Sequence, residues 1–137
     1  MTCNFADAHQ RHLTDADILY KQKRWANSDH LYGLSAECGL KALMVKFGMS
    51  ITNGTPTNKQ DKVHANKVWN RYETYRQGHA LGTQYPLPSS NPFLDWDVSQ
   101  RYTDQQYFTM QIATPHKQGA DCVTNLIKQA TLAGLLP

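Results

Sequence analysis

The hydrophobic residues of this chain follow helical spacing along most of its length, and one stretch is apolar around nearly its whole circumference. This stretch runs from Asp29 to Phe47 and reads DHLYGLSAECGLKALMVKF. A helix that is hydrophobic on all sides is typical of the centre of a bundle rather than of its surface. The pattern therefore predicts a central helix from Asp29 to Phe47, with Asn27 or Ser28 as its N-terminal cap.

Three other periodic stretches predict helices around this central one. Apolar positions at mixed spacings of three and four predict a first helix over residues 6–24. Spaced valines and aromatic residues predict a third helix over residues 62–77. Proline is favoured at the first position of a helix, so we expect a last helix from Pro115 to about Leu132.

Breaks between these stretches are clear. Gly48 supplies a C-terminal stop, and the polar residues SITNGTPTN that follow predict a loop. Glycine and proline prevent a helix over residues 78–95, a short helical turn is predicted over 97–102, and residues 103–113 fit no single element. Strand signals are weak, since clean alternation bounded by hairpin turns is lacking. The sequence thus predicts an all-α, up-and-down bundle of four to five helices, with a long loop around residues 78–95, as one domain over residues 1–137.

Composition narrows the class of protein. The 137 residues carry a net charge of +3, which is compatible with a polyanionic partner but does not require one. Cys3, Cys38 and Cys122 show neither CxxC nor Cys/His spacing, so we expect free thiols and neither a metal site nor another cofactor. No apolar run approaches the roughly twenty residues that span a bilayer. We expect a cytoplasmic protein without membrane contact.

The few polar residues of the central helix are candidates for chemistry. At about 100° per residue, His30, Glu37 and Lys41 fall on one narrow stripe. Glu37 and Lys41 have the spacing and order of a favourable intrahelical ion pair. A buried carboxylate needs hydrogen-bond partners for both of its oxygens, so we expect Arg101 or Tyr102 to donate to the Glu37 oxygen that Lys41 leaves free. The stripe is therefore either a structural network or a ligand site.

Further ligand candidates lie outside the central helix. Arg101 and Tyr102 follow an aromatic segment, and together they suit the stacking of a base and the binding of a phosphate. The plainer interpretation is that Phe93 and Trp96 pin the long loop to the bundle. His64 lies on the predicted third helix, where it either faces the central stripe or is solvated.

Several motifs resemble those of the HEPN family. The closest match is YGLSAECGLKAL over Tyr32–Leu43, and the second is Trp96 with the Arg101-Tyr102 pair. Matching segments occur in the expected order along most of the chain, from about residue 13 to residue 130: RWANSDHLYGLSAECGLK, KVHANKVW, FLDWDVSQRY and DCVTNLIKQA. The resemblance implies an all-α bundle, usually a homodimer, associated with RNA cleavage or with nucleotidyltransferase partner proteins in defence and toxin–antitoxin systems.

Active members of that family carry an Arg, four to six intervening residues and a His. The imidazole then serves as general acid or base while the guanidinium holds the phosphate, without a metal. Arg24 and His30 form the one match to this spacing, and they straddle the first predicted inter-helix loop instead of lying late in the bundle. They are candidates for catalytic residues, but the position favours a member without a functioning ribonuclease site.

Three hypotheses about function result. The first is a dimeric module that binds nucleotide, RNA or a partner protein through Glu37, Lys41, His64, Arg101 and Tyr102. The second is a metal-independent RNA endonuclease of toxin or defence type, using Arg24 with His30, or Arg101 with His64 or His79. The third is a structural partner subunit of a nucleotidyltransferase. The usual signatures of P-loop, dinucleotide-binding, α/β-hydrolase and zincin enzymes are missing from the sequence.

Overall fold

The computed structural model describes residues 2–137, and within them the chain forms four α-helices and one small β-hairpin. This confirms the predicted all-α bundle. No helix in this range is long and apolar enough to cross a membrane. The elements are α1 (Phe5–Lys21), α2 (Trp25–Lys46), β1 (Ile51–Thr52), β2 (Thr55–Pro56), α3 (Ala65–Gln77) and α4 (Met110–Leu132).

A tight turn joins α1 to α2 and brings the two helices side by side. Lys23 adopts a left-handed backbone with φ of 60°. Its N–H donates to the carbonyl of Tyr20 at 3.0 Å, and the N–H of Arg24 donates to the carbonyl of Leu19 at 2.9 Å. These two hydrogen bonds form a Schellman motif. Glycine usually occupies the left-handed position of this motif, so Lys23 is held there against roughly 1–2 kcal/mol of strain.

Helix α2 is the centre of the bundle, as predicted, and packs against each of the other three helices. Ala36, Leu40 and Leu43 on it have no exposed surface. The predicted start at Asp29 is wrong by four residues, because the tight turn lets the helix begin at Trp25. Ser28 is not a cap, since its hydroxyl donates to the carbonyl of Ala16 at 2.8 Å.

Helix α2 ends where Gly48 takes a φ of +109°, which confirms the predicted stop. The polar loop after it contains the hairpin that the sequence analysis missed, with Ile51 paired to Pro56 in antiparallel register. Asn53 and Gly54 both have positive φ, as a two-residue hairpin turn requires. Two-residue strands are too short to show alternating hydrophobicity.

Helix α3 begins at Ala65, three residues later than predicted, because residues 59–61 form a separate 3-10 helix. That short helix buries Asp61 completely. Its carboxylate accepts hydrogen bonds from Nε of Arg71 and from the hydroxyl of Tyr75, each at 2.6 Å. The buried carboxylate of Asp61 thus anchors the segment before α3 to the side of that helix.

Residues 78–109, here called the long connection, link α3 to α4. They contain three 3-10 helices, Ala80–Gln84, Val98–Tyr102 and Gln105–Tyr107. Phe93 and Trp96 are 0% and 1% exposed, so they pin the long connection to the bundle as predicted.

Helix α4 starts five residues before the predicted Pro115, at Met110. The hydroxyl of Thr109 caps this start by accepting from the N–H of Ile112 at 3.4 Å. Pro115 lies inside the helix, near its beginning and exposed to solvent. A proline there removes one helical hydrogen bond without ending the helix, which is why it was a misleading start signal.

Candidate functional site: a basic cleft and the network behind it

The stripe of α2 contains a small ionic network. Nζ of Lys41 lies 2.9 Å from Oε1 of Glu37, which confirms the predicted pair. The other carboxylate oxygen, Oε2, is 3.1 Å from Nδ1 of His64, the residue that precedes α3. Glu37 and Lys41 are buried, so both partners of Glu37 compensate its removal from water. The expectation that Arg101 or Tyr102 would fill this role is wrong.

His30 lies on the same stripe but is not part of this ionic network. Its ring stacks on Trp96 with 5.6 Å between centroids, and its Nδ1 is buried without a partner. Burial and the nearby Arg101 lower the pKa of His30, so the ring is neutral near pH 7. Gly33 makes room for this stack, because a Cβ there would lie 2.1 Å from Cε2 of Trp96.

A cleft of about 300 Å³ opens where the turn before α2 meets the long connection. Three cationic side chains line it: Lys23 and Arg24 from the turn, and Arg101 from the long connection. Within residues 2–137, no acidic residue lines it. The cleft, here called the basic cleft, therefore offers concentrated positive charge without an internal counter-ion.

The remaining walls of the basic cleft are polar and aromatic. Amide side chains contribute hydrogen-bond donors and acceptors, and Trp25 and Phe108 contribute ring surface; the amides are those of Asn27, Gln100, Gln105 and Gln106. The start of α2 lies at the same place, and in the part of the chain that the structure describes its N-cap residue, Arg24, makes no side-chain capping hydrogen bond. The partial positive charge of a helix N-terminus adds to that of the three cations. Such a site suits a phosphate group that carries a polar, planar substituent.

Behind the basic cleft, His116 of α4 lies between two carboxylates. Its Nδ1 bonds Oδ1 of Asp29 in a short contact, and its Nε2 lies 2.8 Å from Oδ1 of Asp95. The second oxygen of Asp29 accepts from Nε2 of Gln100 at 2.6 Å, and the carbonyl of Asp29 accepts from the indole of Trp96 at 3.2 Å. The buried His116 thus ties together α2, α4 and the long connection.

The two carboxylates fix the charge of His116. An ionised carboxylate only accepts hydrogen bonds, so a carboxylate at each ring nitrogen favours the imidazolium form, in which both nitrogens donate. Burial opposes that charge, but the hydrogen bonds and charges of Asp29 and Asp95 outweigh it and raise the pKa of His116 above its ordinary value. His116 is 1% exposed.

The structure brings some of the predicted site residues together and separates others. Arg24 and Arg101 meet in the basic cleft, while His30 is close enough to Arg101 to feel its charge but does not line the cleft. The guanidinium of Arg101 lies 4.9 Å from the ring centroid of Tyr102, which is 80% exposed. His79 packs on Phe47, at 5.3 Å between ring centroids.

Sequence reasoning missed the residues that hold the site in place. Asp29 and His116 are 87 positions apart, and no motif links them. Lys23 was missed because its left-handed backbone carries no sequence signal when the residue is not glycine. His12 also escaped notice; burial and Arg11 lower its pKa, and it lies near Glu37.

The fold and the basic cleft define an all-α bundle with a cationic cavity as its candidate site. In comparisons with known proteins, no family model, curated protein or solved structure matches this chain. Across residues 2–137, no group of three or more His, Cys, Asp or Glu side chains is arranged to hold a metal ion.

Proposed function

We propose that this protein is a HEPN-like module that binds RNA or a nucleotide through the basic cleft. The observation that carries the proposal is that Arg24 and Arg101, from distant parts of the chain, line one cleft together with Lys23. The homodimer is part of the proposal and rests on the resemblance to the HEPN family. We also place the protein in the cytoplasm. The three cysteines of the chain are free thiols, which is usual for proteins of that compartment.

The chemistry of the basic cleft favours a phosphate ligand. Guanidinium groups bind phosphate oxygens through two parallel hydrogen bonds, and arginines on two walls can hold one phosphate from two sides. A volume of about 300 Å³ is at the lower end for small-molecule sites, which suits a single nucleotide unit. The exposed ring of Tyr102, beside Arg101, offers a surface on which a base can stack.

Binding of a short oligouridylate tests this proposal. We expect Arg24→Ala and Arg101→Ala each to weaken binding by about tenfold or more, since a hydrogen bond to a charged group contributes about 1.5–3 kcal/mol. Arg101→Lys keeps the positive charge but loses the two parallel N–H donors of the guanidinium. Its affinity should fall between those of the wild type and Arg101→Ala. Isothermal titration calorimetry at fixed salt measures these affinities.

Lys128→Ala is the matched control for that experiment. It removes one positive charge from an exposed position of α4 outside the basic cleft. Its affinity should stay close to that of the wild type. Equal losses in Lys128→Ala and Arg24→Ala would show that only net charge matters and would contradict the proposed site.

We propose further that the module does not cleave RNA. General acid–base chemistry needs an imidazole within hydrogen-bonding reach of the reacting group, and no histidine of the described chain lines the basic cleft. His30, the histidine that matches the Arg/His spacing, buries Nδ1 and stacks its ring on Trp96. An endonuclease that uses Arg24 and His30 is the second candidate. It is favoured by one observation: Arg101, which lines the basic cleft with Arg24, is close enough to His30 to lower its pKa.

Incubation with labelled single-stranded RNA distinguishes the two candidates. We expect the RNA to remain intact at protein concentrations that saturate binding, in the presence of EDTA to suppress contaminating metal-dependent nucleases. His30→Ala should then behave as the wild type does. Specific cleavage that disappears in His30→Ala would establish the endonuclease instead.

A further inference from the structure

His116 connects the two parts of the chain that carry the arginines of the basic cleft. Arg24 directly precedes α2, and Asp29 lies in the first turns of that helix. Arg101 directly follows Gln100, whose amide also bonds Asp29. His116 bonds Asp29 on one side and Asp95 of the long connection on the other.

We propose that His116 is a positioning residue for the basic cleft: as an imidazolium it clamps the start of α2 to the long connection, so that Arg24 and Arg101 face the same phosphate. This inference rests on the proposed function of the cleft. It adds a regulatory property, because the clamp requires a proton on each ring nitrogen.

Loss of one proton would break the clamp on one side. A neutral imidazole has one donor, and Asp29 is its better partner, since Asp29 is buried and also holds Gln100. The lone pair of Nε2 would then face the carboxylate of Asp95, and the two repel each other. The side chain of Asp95 is 76% exposed, so it can turn into solvent and release this part of the long connection.

The release stays local because other contacts hold the long connection. Trp96 stays buried in the space beside Gly33, although its indole bond to the carbonyl of Asp29 loosens, and Phe93 remains stacked against the ring of His116 with 5.4 Å between centroids. The expected change is therefore a looser placement of Arg101 and not unfolding of the bundle.

The direction of the pH dependence follows from the groups around His116. Asp29 of α2 and Asp95 of the long connection contact His116 directly, and Asp97 and Tyr107 line the same cavity as these two carboxylates. Lys117, the next residue along α4, is paired with Asp17 of α1 and Asp121 of α4. The adjacent carboxylates raise the pKa of His116 against the effect of burial. The clamp is therefore fully formed below the unfolded-state pKa of about 6.5 and is lost as pH rises through the higher folded-state pKa.

The test measures the affinity for a short oligouridylate from about pH 6.5 to about pH 8, where phosphodiesters and arginines keep their charge and uracil keeps its proton. We expect the wild type to lose about tenfold in affinity over this range, a typical size for coupling between two sites. In Asp95→Asn the asparagine amide can donate to Nε2 of a neutral His116, so the clamp no longer needs the second proton. This variant should bind with little change across the range.

Asp104→Asn is the matched control. It removes a carboxylate from the same long connection at an exposed helix cap, where asparagine serves equally well. Asp104→Asn should keep the pH dependence of the wild type. Variants in which a histidine other than His116 is replaced should keep it as well. Identical pH profiles for the wild type and Asp95→Asn would overturn the proposal.

A second measurement separates failure of this inference from failure of the proposed function. Hydrogen exchange of the Trp96 indole N–H, which donates to Asp29, reports on the clamp without any ligand. We expect this proton to lose protection at high pH in the wild type, relative to Asp95→Asn. If no oligouridylate binds at any pH, the proposed function fails, and equal protection in the two proteins would then sink the clamp as well.

Discussion

Replacing Trp96 with alanine is expected to lower the free energy of unfolding by about 3–5 kcal/mol, the usual loss for a large aromatic residue in a core. Trp96 is 1% exposed and fills the space that Gly33 leaves on α2. The substitution also leaves the carbonyl of Asp29 without its indole donor. Urea-induced unfolding followed by circular dichroism measures the effect.

Leu94→Ala is the control for this substitution. Leu94 lies two residues earlier in the long connection and is 74% exposed, so its truncation should change stability by less than about 0.5 kcal/mol. If Trp96→Ala were no more destabilising than Leu94→Ala, the described packing of the long connection against α2 would be incorrect.

Asp61→Ala should destabilise the protein by about 3 kcal/mol, the lower part of the range for breaking a buried ion pair. Asp61 is completely buried and accepts from both Arg71 and Tyr75, which would lose their acceptor together. Arg71 keeps about a quarter of its side chain in water, at 25% exposure, and this moderates the loss. Thermal unfolding provides the measurement.

Two further variants sharpen the interpretation of Asp61→Ala. Asp61→Asn keeps one acceptor oxygen and should lose less stability than the alanine variant. Asp15→Ala removes a carboxylate from an exposed position of α1 and should have almost no effect. Equal melting temperatures for Asp61→Ala and Asp15→Ala would show that the buried carboxylate contributes nothing to the anchoring of α3.

The central helix was predictable because its signal is intrinsic to the segment: a helix that is apolar on every side has to be enclosed by others. Its first residue was not, since the start at Trp25 depends on a left-handed Lys23 that only the packing of α1 against α2 enforces. The predicted start of α4 was wrong for a related reason. Pro115 is tolerated inside an early turn, and Thr109 supplied the cap.

A few residues of the candidate site were predictable, but their arrangement was not. Arg24, Glu37 and Arg101 stood out by local spacing, and the pairing of Glu37 with Lys41 followed from helix geometry. That Arg24 and Arg101 meet depends on how the long connection folds back over α2. The same is true of Glu37 and His64, which are 27 positions apart.

The contact between Asp29 and His116 also bears on how the chain acquires its structure as it leaves the ribosome. Asp29 is synthesised early, but its buried carboxylate receives its cationic partner only after α4 has been made. Until then, the N-terminal hairpin of α1 and α2 holds the Asp29 side chain without its partner on α4. The contact therefore forms only after α4 has been synthesised, and α4 is the element that completes this part of the bundle.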